Sequence, residues 1–151
     1  MKAIIRNTII GLIVILSMGF SVGILLNSQA ITQVLVKLNE NAKEPKDALG
    51  ISLIKSTKPD YQLKIRHGEK WLDCGTIVDT YVGSGLQYQI TELLPKYKAK
   101  EIQLIEADNI KDDLLEQLQI ANDVVRGKNY TFIIQYEFNL NAGFEWFFDK
   151  L

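Results

Sequence analysis

An uncharged apolar segment near the amino terminus constrains this chain more than any other feature. It extends from Thr8 to Leu26 and reads TIIGLIVILSMGFSVGILL. As a helix rising about 1.5 Å per residue it would be roughly 28 Å long, close to the ~30 Å hydrocarbon core of a bilayer. The segment therefore predicts a transmembrane helix, and the rest of the chain must be held at, or delivered across, a membrane.

The flanking charges predict the orientation of this helix. Lys2 and Arg6 precede it, whereas the nearest positive charge downstream is Lys37. The positive-inside bias therefore places the amino terminus in the cytoplasm and the remaining chain outside. The alternative is a secretory signal peptide cleaved after Ala30, since Ser28-Gln29-Ala30 has the small-x-small pattern of a cleavage site. The apolar run exceeds the ~7 to 15 residues of a signal peptide, so we favour an uncleaved anchor.

Two glycines within the segment are spaced for helix association. Gly19 and Gly23 form a small-xxx-small pair, which lets helix backbones approach closely in lipid and would favour a homo-oligomer. Glycine is also common in membrane spans without any such role. The segment has no charged residue, which argues against an ion or proton pathway through it.

The remaining chain has the size and charge of one exported domain. Of 151 residues, 121 follow Ala30, enough for a single modest core. Two of the 17 basic residues precede the apolar segment, so 15 basic and 18 acidic residues remain, a net charge of about −3. This balance argues against nucleic acid as a partner and against charge-driven binding to an anionic surface. The single cysteine, Cys74, cannot form an intramolecular disulfide.

The pattern divides the chain into four parts. Residues 1–7 would be cytoplasmic, 8–26 transmembrane, 27–48 a stalk and linker, and 49–151 an extracytoplasmic domain. Apolar residues continue at helical spacing through the stalk, at Ile31, Val34, Leu35 and Leu38. This helix should end by Glu44, because Pro45 disfavours helical conformation in the residue before it.

The proposed domain shows mostly the alternation of strands. Apolar residues at every second position predict strands over 61–66, 71–82 and 86–90, joined as an antiparallel meander, and over 102–107 and 130–140. One main helix is predicted between the last two strands. Asp108 or Asn109 would cap it, Ile110, Leu114, Leu118, Ala121 and Val125 would form its apolar face, and Gly127 would follow its end.

The carboxyl-terminal segment is rich in aromatic residues. Phe144, Phe147, Phe148 and Leu151 have helical spacing, with Trp146 among them. The ordinary interpretation is a short helix that folds back on the sheet. The alternative is a partner-docking tail, since aromatic side chains anchor protein interfaces and membrane surfaces.

Candidates for chemistry are few. His67 and Cys74 would lie on two arms of one hairpin, but a turn near Glu69 would pair Cys74 with Lys64 rather than with His67. Asp73 and Asp79 would share a strand face, which is usually solvated. Zinc sites need about four ligands, more histidines and cysteines than this chain has. We therefore predict no catalytic, cofactor-binding or metal-binding residues, and a protein that is not an enzyme.

Together these patterns predict an α+β protein with an N-terminal transmembrane helix, a mostly antiparallel sheet of four to five strands and one main helix. The expected function is that of a binding or structural subunit of a cell-envelope assembly, such as a secretion, conjugation, pilus or phage-related membrane complex. Its expected partners are the bilayer and other proteins or further copies of itself. The alternative is a soluble exported small-ligand-binding protein released after Ala30. An envelope enzyme using Cys74 or strand carboxylates ranks last.

Overall fold

The computed structural model describes residues 2–43, 58–107 and 112–151. These residues form two α-helices and eight strands. In chain order they are α1 (Lys2–Leu26), β1 (Gln29–Leu38), β2 (Tyr61–His67), β3 (Lys70–Ile77), β4 (Leu86–Gln89), β5 (Ala99–Glu106), β6 (Asp113–Gln119), β7 (Val124–Arg126), β8 (Tyr130–Phe138) and α2 (Leu140–Phe148). Short 3-10 turns cover Val82–Ser84 and Lys96–Lys98.

Helix α1 contains the predicted apolar segment. Thr8–Leu26 has a mean hydropathy of 2.7, and no part of the most apolar stretch is buried inside the protein. Among the described residues this is the one helix long and apolar enough to cross a membrane, although a signal sequence near an amino terminus meets the same criteria. Its exposed leucine, isoleucine and valine side chains favour a non-aqueous environment, because removing apolar surface from water is worth about 25 cal/mol per Å².

The residues after α1 form a strand rather than the predicted helical stalk. Strand β1 begins at Gln29, and only Asn27 and Ser28 separate it from α1. It is a central strand, hydrogen-bonded to β4 on one side and to β8 on the other. The stalk prediction was wrong because the segment with helical spacing also contains Val34 and Val36, which satisfy a period of two and are both buried, and two neighbouring strands supply the hydrogen bonds. The part of the linker at 44–48 lies outside the described residues.

The eight strands form two antiparallel sheets of four. One sheet has the order β4-β1-β8-β7 and the other has the order β3-β2-β5-β6. The predicted meander of three strands is therefore wrong in part: β2 and β3 are a hairpin, but β4 joins the other sheet by pairing with β1. The α+β class is confirmed, with eight strands in two sheets rather than four or five in one.

The two sheets pack face to face around one hydrophobic core. Its largest fully buried side chains include Tyr61, Leu63 and Ile65 of β2 and Tyr130 and Phe132 of β8, so both sheets contribute. The sheets are also linked by a hydrogen bond, in which the Tyr88 hydroxyl donates to the carbonyl oxygen of Tyr61 at 2.8 Å. The chain after α1 is thus a β-sandwich in which β1 and β8 carry the core of one layer.

The main helix predicted before Gly127 is not present in the described part of this segment. Residues Asp113–Gln119 form β6, which pairs with β5, and Val124–Arg126 form β7. A register shift opposite Leu104 and Ile105 breaks the alternation of β6, so Leu115 and Leu118 both pack against the core despite their helical spacing. The predicted cap residues Asp108 and Asn109, and Ile110, lie outside the described residues.

Candidate functional site

The carboxyl-terminal helix α2 packs against the end of α1. The Phe147 ring meets Phe20 of α1 edge to face, with ring centroids 5.2 Å apart and an interplanar angle of 89°. Phe147 also contacts Phe148, at 5.5 Å between centroids. Such aromatic pairs contribute about 0.5–1.5 kcal/mol beyond the area they bury. The predicted terminal helix is therefore present, and it contacts the carboxyl-terminal end of the apolar segment as well as adjoining the sandwich.

Two glycines permit this close packing. A Cβ on Gly23 would lie 2.5 Å from Cη2 of Trp146, so the indole ring occupies the space that a larger residue would need. A Cβ on Gly143 would collide with the Ser28 hydroxyl and with the Ile24 carbonyl oxygen. Gly23, predicted to contact a second helix, thus contacts Trp146 of the same chain. A Cβ on Gly19 would meet no atom within 4 Å, so that position remains open.

Helix α2 begins at a side-chain cap. Asn139 has an extended backbone, and its side-chain oxygen accepts a hydrogen bond from the backbone N–H of Asn141 at 3.0 Å. The backbone N–H of Asn139 donates to the carbonyl oxygen of Ser28, the residue between α1 and β1. Strand β8 therefore leads into α2 at the point where α1 leads into β1.

The opposite face of α2 carries carboxylates that are paired with the sandwich. The Lys98 ammonium lies 2.8 Å from a carboxylate oxygen of Asp149 and 3.5 Å from one of Glu145. The Tyr97 hydroxyl donates to the same oxygen of Asp149, at 2.8 Å. The hydrogen bond from Lys98 lowers the pKa of Asp149, and the same contact raises the pKa of Lys98. These contacts hold α2 to the turn before β5.

His67 lies beside this ion pair. Its Nε2 atom is buried and has no hydrogen-bond partner among the described residues. Burial lowers the pKa of His67, and the positive charge of Lys98 lowers it further, whereas Glu145 and Asp149 act in the opposite direction with smaller effect. Burial and Lys98 thus both disfavour the charged imidazolium form of His67, whose Nε2 lies inside the protein.

The predicted docking residues occupy two faces of the terminal segment. Trp146 and Phe147 are half-buried against α1, whereas Phe144, Phe148 and Leu151 are exposed, Phe148 to 68% and Leu151 to 81%. Phe138 and Leu140 extend the exposed group. The sequence did not predict the polar contacts of α2 with Tyr97 and Lys98. The available signals were a basic loop, Lys96-Tyr97-Lys98, and two carboxylates at helical spacing, Glu145 and Asp149.

A second polar site joins the two sheets at the end of β1 opposite α1. The Glu116 carboxylate of β6 accepts the backbone N–H groups of Lys128, Asn129 and Tyr130, at 3.1, 2.9 and 3.1 Å. Asn39, directly after β1, donates its side-chain amide to the carbonyl oxygens of Gly127 and Lys128. The sequence offered no distinct signal for this arrangement, because Glu116 lay within the predicted helix.

Cys74 lines a cavity of about 260 Å³ between β3 and the segment after β4. Leu72, Asp73, Ile90 and Leu94 are among its neighbours there. Burial raises the pKa of the Cys74 thiol to about 12, with a smaller contribution from the negative charge of Asp73. The thiol is therefore protonated at neutral pH and is a poor nucleophile.

Two predicted relationships near Cys74 are corrected by the structure and one is confirmed. Lys64 pairs with Asp73 rather than with Cys74, because the turn at Gly68 and Glu69 sets the register from His67 to Lys64 and the bulge lies beyond Lys64. His67 pairs with Lys70 and not with Cys74, as expected. Asp73 and Asp79 do not share a strand, since β3 ends at Ile77 and Asp79 has a left-handed backbone with φ of 52°.

Asp73 accepts hydrogen bonds instead from the Gln62 side chain and the backbone N–H of Gly75. Within residues 2–43, 58–107 and 112–151, no group of three or more histidine, cysteine or acidic side chains is arranged to hold a metal ion.

Comparisons with known proteins identify no relative. No protein-family model matches this chain, and neither a curated protein nor a solved structure matches it.

Proposed function

We propose that this protein is a single-pass membrane subunit whose β-sandwich is held directly on the extracytoplasmic face of the bilayer and binds protein partners within an envelope assembly. The observation that carries the proposal is the joint between α1 and the sandwich. Two residues connect α1 to the central strand β1, and α2 packs back on α1 through Phe147, Trp146 and Gly143. Because the anchor helix packs against the domain in this way, we expect the sandwich to have a fixed position relative to the membrane rather than to hang from a flexible tether.

The same joint argues against the signal-peptide alternative. Cleavage after Ala30 would remove two residues of β1 that pair with Phe138 and Glu137 of β8. It would also remove Phe20, Gly23 and Ser28, which cover the inner face of α2. Uncovering a fully buried large side chain costs about 1.5–3 kcal/mol, and the half-buried Trp146 and Phe147 would each lose a fraction of that amount, so the released product would lose part of its stability.

Intact mass of the protein from its native membrane tests the anchor. A full-length mass in the detergent-extracted membrane fraction supports the proposal, and a soluble product that begins at Ile31 overturns it. The role as a subunit is tested on the same extract by native gel electrophoresis followed by mass spectrometry of the separated complex. A particle containing this chain with other envelope proteins supports the role. Migration of the chain alone would contradict it.

The cavity beside Cys74 favours a second candidate function, the binding of a small ligand. Its volume of about 260 Å³ is near the lower end of the ~300–1,000 Å³ typical of ligand sites, and apolar side chains line part of it. A fragment screen by nuclear magnetic resonance on the full chain in detergent would show shifts at Leu72 and Ile90 if the cavity binds ligands. Shifts scattered over the surface would dismiss this candidate.

A further inference from the structure

Helix α2 has three distinct faces. Gly143, Trp146 and Phe147 meet α1, whereas Glu145 and Asp149 meet Lys98. The third face is apolar and exposed; it consists of Leu140, Phe144 and Phe148, which are spaced by four residues, and is continued by Leu151. At 100° per residue this third face adjoins the face that meets α1, since Leu140 is about 20° from Phe147, and on its other side Phe148 is about 60° from Glu145.

The contacts with α1 fix the depth of α2 relative to the apolar segment. Gly23 lies three residues before Leu26, and Phe20 lies six before it, so Trp146 and Phe147 contact α1 about 4.5 and 9 Å inside its outer end. If Thr8–Leu26 spans the hydrocarbon core, which rests on the proposed function, these contacts lie at or below the boundary between headgroups and acyl chains. Interfacial helices bury their apolar faces to a similar depth, about 5–10 Å.

We propose that the exposed face of α2, formed by Leu140, Phe144, Phe148 and Leu151, binds the acyl chains and headgroups of the outer leaflet of phospholipid beside α1. Continuity identifies lipid as the occupant, because this face adjoins the exposed surface of α1 that the bilayer itself would cover. The arrangement also explains the pairing on the carboxylate face. Lys98 contacts both Glu145 and Asp149 and so offsets one of their two negative charges, and unpaired charges so close to hydrocarbon would be costly. The helix thereby seats the sandwich on the membrane and fixes its orientation.

Depth-resolved fluorescence quenching tests this proposal on the full chain in nanodiscs. The chain has two tryptophans, Trp71 and Trp146. The probe protein carries Trp71→Phe, Trp146→Phe and Phe148→Trp, and the nanodiscs contain phosphatidylcholine brominated along its acyl chains. We expect position 148 to lose much of its emission in brominated lipid. The matched control carries Trp71→Phe, Trp146→Phe and Lys37→Trp, which places its single indole on the exposed end of β1 opposite α1, and its emission should not change.

Two outcomes overturn the proposal. One is quenching at position 148 no greater than that at position 37 of the control. The other is a second copy of the chain on this face, which would protect position 148 from bromine and yield a disulfide-linked dimer from the variant Cys74→Ser, Phe148→Cys. Replacing Trp146 removes a contact with α1, so the quenching is repeated with Trp71→Phe, Phe148→Trp, which retains it. The reference for this pair of tryptophans is Trp71→Phe, in which Trp146 is the single emitter, and the added emission from position 148 should be the quenched part.

Alkaline carbonate extraction separates failure of this proposal from failure of the anchor. If the protein resists extraction but position 148 is not quenched, the anchor is retained and only the proposed contact of α2 with lipid is refuted. Protein that is extracted refutes the anchor as well.

Discussion

The Lys98 ammonium lies 2.8 Å from the Asp149 carboxylate and thereby joins the start of β5 to the end of α2. The pair is partly exposed, with 23% and 41% of the two side chains accessible. Isolated surface pairs contribute little to stability, but this one is reinforced by Tyr97 and Glu145 and acts on a helix of only nine residues. Its main effect is therefore on where α2 lies.

Replacing Asp149 with Asn should loosen α2 without unfolding the sandwich. The variant loses the charge that Lys98 pairs with, so amide hydrogens of Leu140–Phe148 should exchange faster. Hydrogen–deuterium exchange measured by mass spectrometry checks this. The matched control is Asp123→Asn, which breaks the separate pair with Lys96 and should leave α2 protection unchanged. Equal exchange of α2 in the two variants would contradict the prediction.

The same pair predicts an acid limit for α2 docking. Because Lys98 lowers the pKa of Asp149 in the folded protein, the carboxylate contributes stability above its unfolded pKa of about 3.9. That contribution is lost as the pH falls through the lower folded pKa. The protection factors of the α2 amides, which compare the measured exchange with the intrinsic exchange at each pH, should therefore fall at acid pH in the natural protein, and the fall should be smaller in Asp149→Asn.

His67 should make stability rise with pH near neutrality. Its pKa is lowered by folding, so the unfolded chain binds a proton more readily between the folded pKa and the unfolded value of about 6.5. Stability is therefore lost as the pH falls through this window. Thermal unfolding of the full chain in detergent, repeated between about pH 5 and 8, measures the effect. His67→Gln should flatten the slope, and an unchanged slope would assign it to another group.

Gly143→Ala should destabilise the joint between the two helices. The added methyl group would collide with the Ser28 hydroxyl and the Ile24 carbonyl oxygen, and overpacking of this kind typically costs about 1–3 kcal/mol. Gly11→Ala is the control, because a Cβ there would meet no atom within 4 Å. Thermal unfolding in detergent should show a lower midpoint for the first variant only. Matching midpoints would mean that α1 and α2 separate freely.

Glu116→Ala should weaken the connection between the sheets. Three backbone N–H groups would lose their acceptor, and each buried donor left unsatisfied costs about 1–3 kcal/mol, although water can replace part of the loss at this partly exposed site. Urea denaturation should reveal a lower unfolding free energy. The control, Glu137→Ala on exposed β8 surface, should stay within about 0.5 kcal/mol of the natural protein. Equal effects of both substitutions would exclude a special role for Glu116.

Cys74 should resist alkylation in the folded protein. The thiolate is the reactive species, and burial raises the pKa of this thiol to about 12. Iodoacetamide at mildly alkaline pH should modify it slowly, and urea should bring the rate to that of an ordinary cysteine, as followed by intact mass. Rapid modification of the folded chain would instead support a reactive thiol at the cavity.

The sequence by itself determined the elements whose signal is local. The apolar segment Thr8–Leu26 is helical in the structure, because an α-helix pairs its backbone N–H and C=O groups within one segment and needs no partner strand. The alternation of β2 and β8 predicted their strands, and the terminal aromatic spacing predicted α2. Each of these elements is specified by its own period of apolar residues.

Only the tertiary structure decided the elements whose apolar spacing suits more than one conformation. Val34 and Val36 became part of a central strand because β4 and β8 offered hydrogen-bond partners on both sides. Leu115 and Leu118 became part of β6 because β5 offered its edge and a bulge placed both side chains on the core. The pairing of Trp146 with Gly23 and of Lys98 with Asp149 also depends on contacts between distant segments, which no local period encodes.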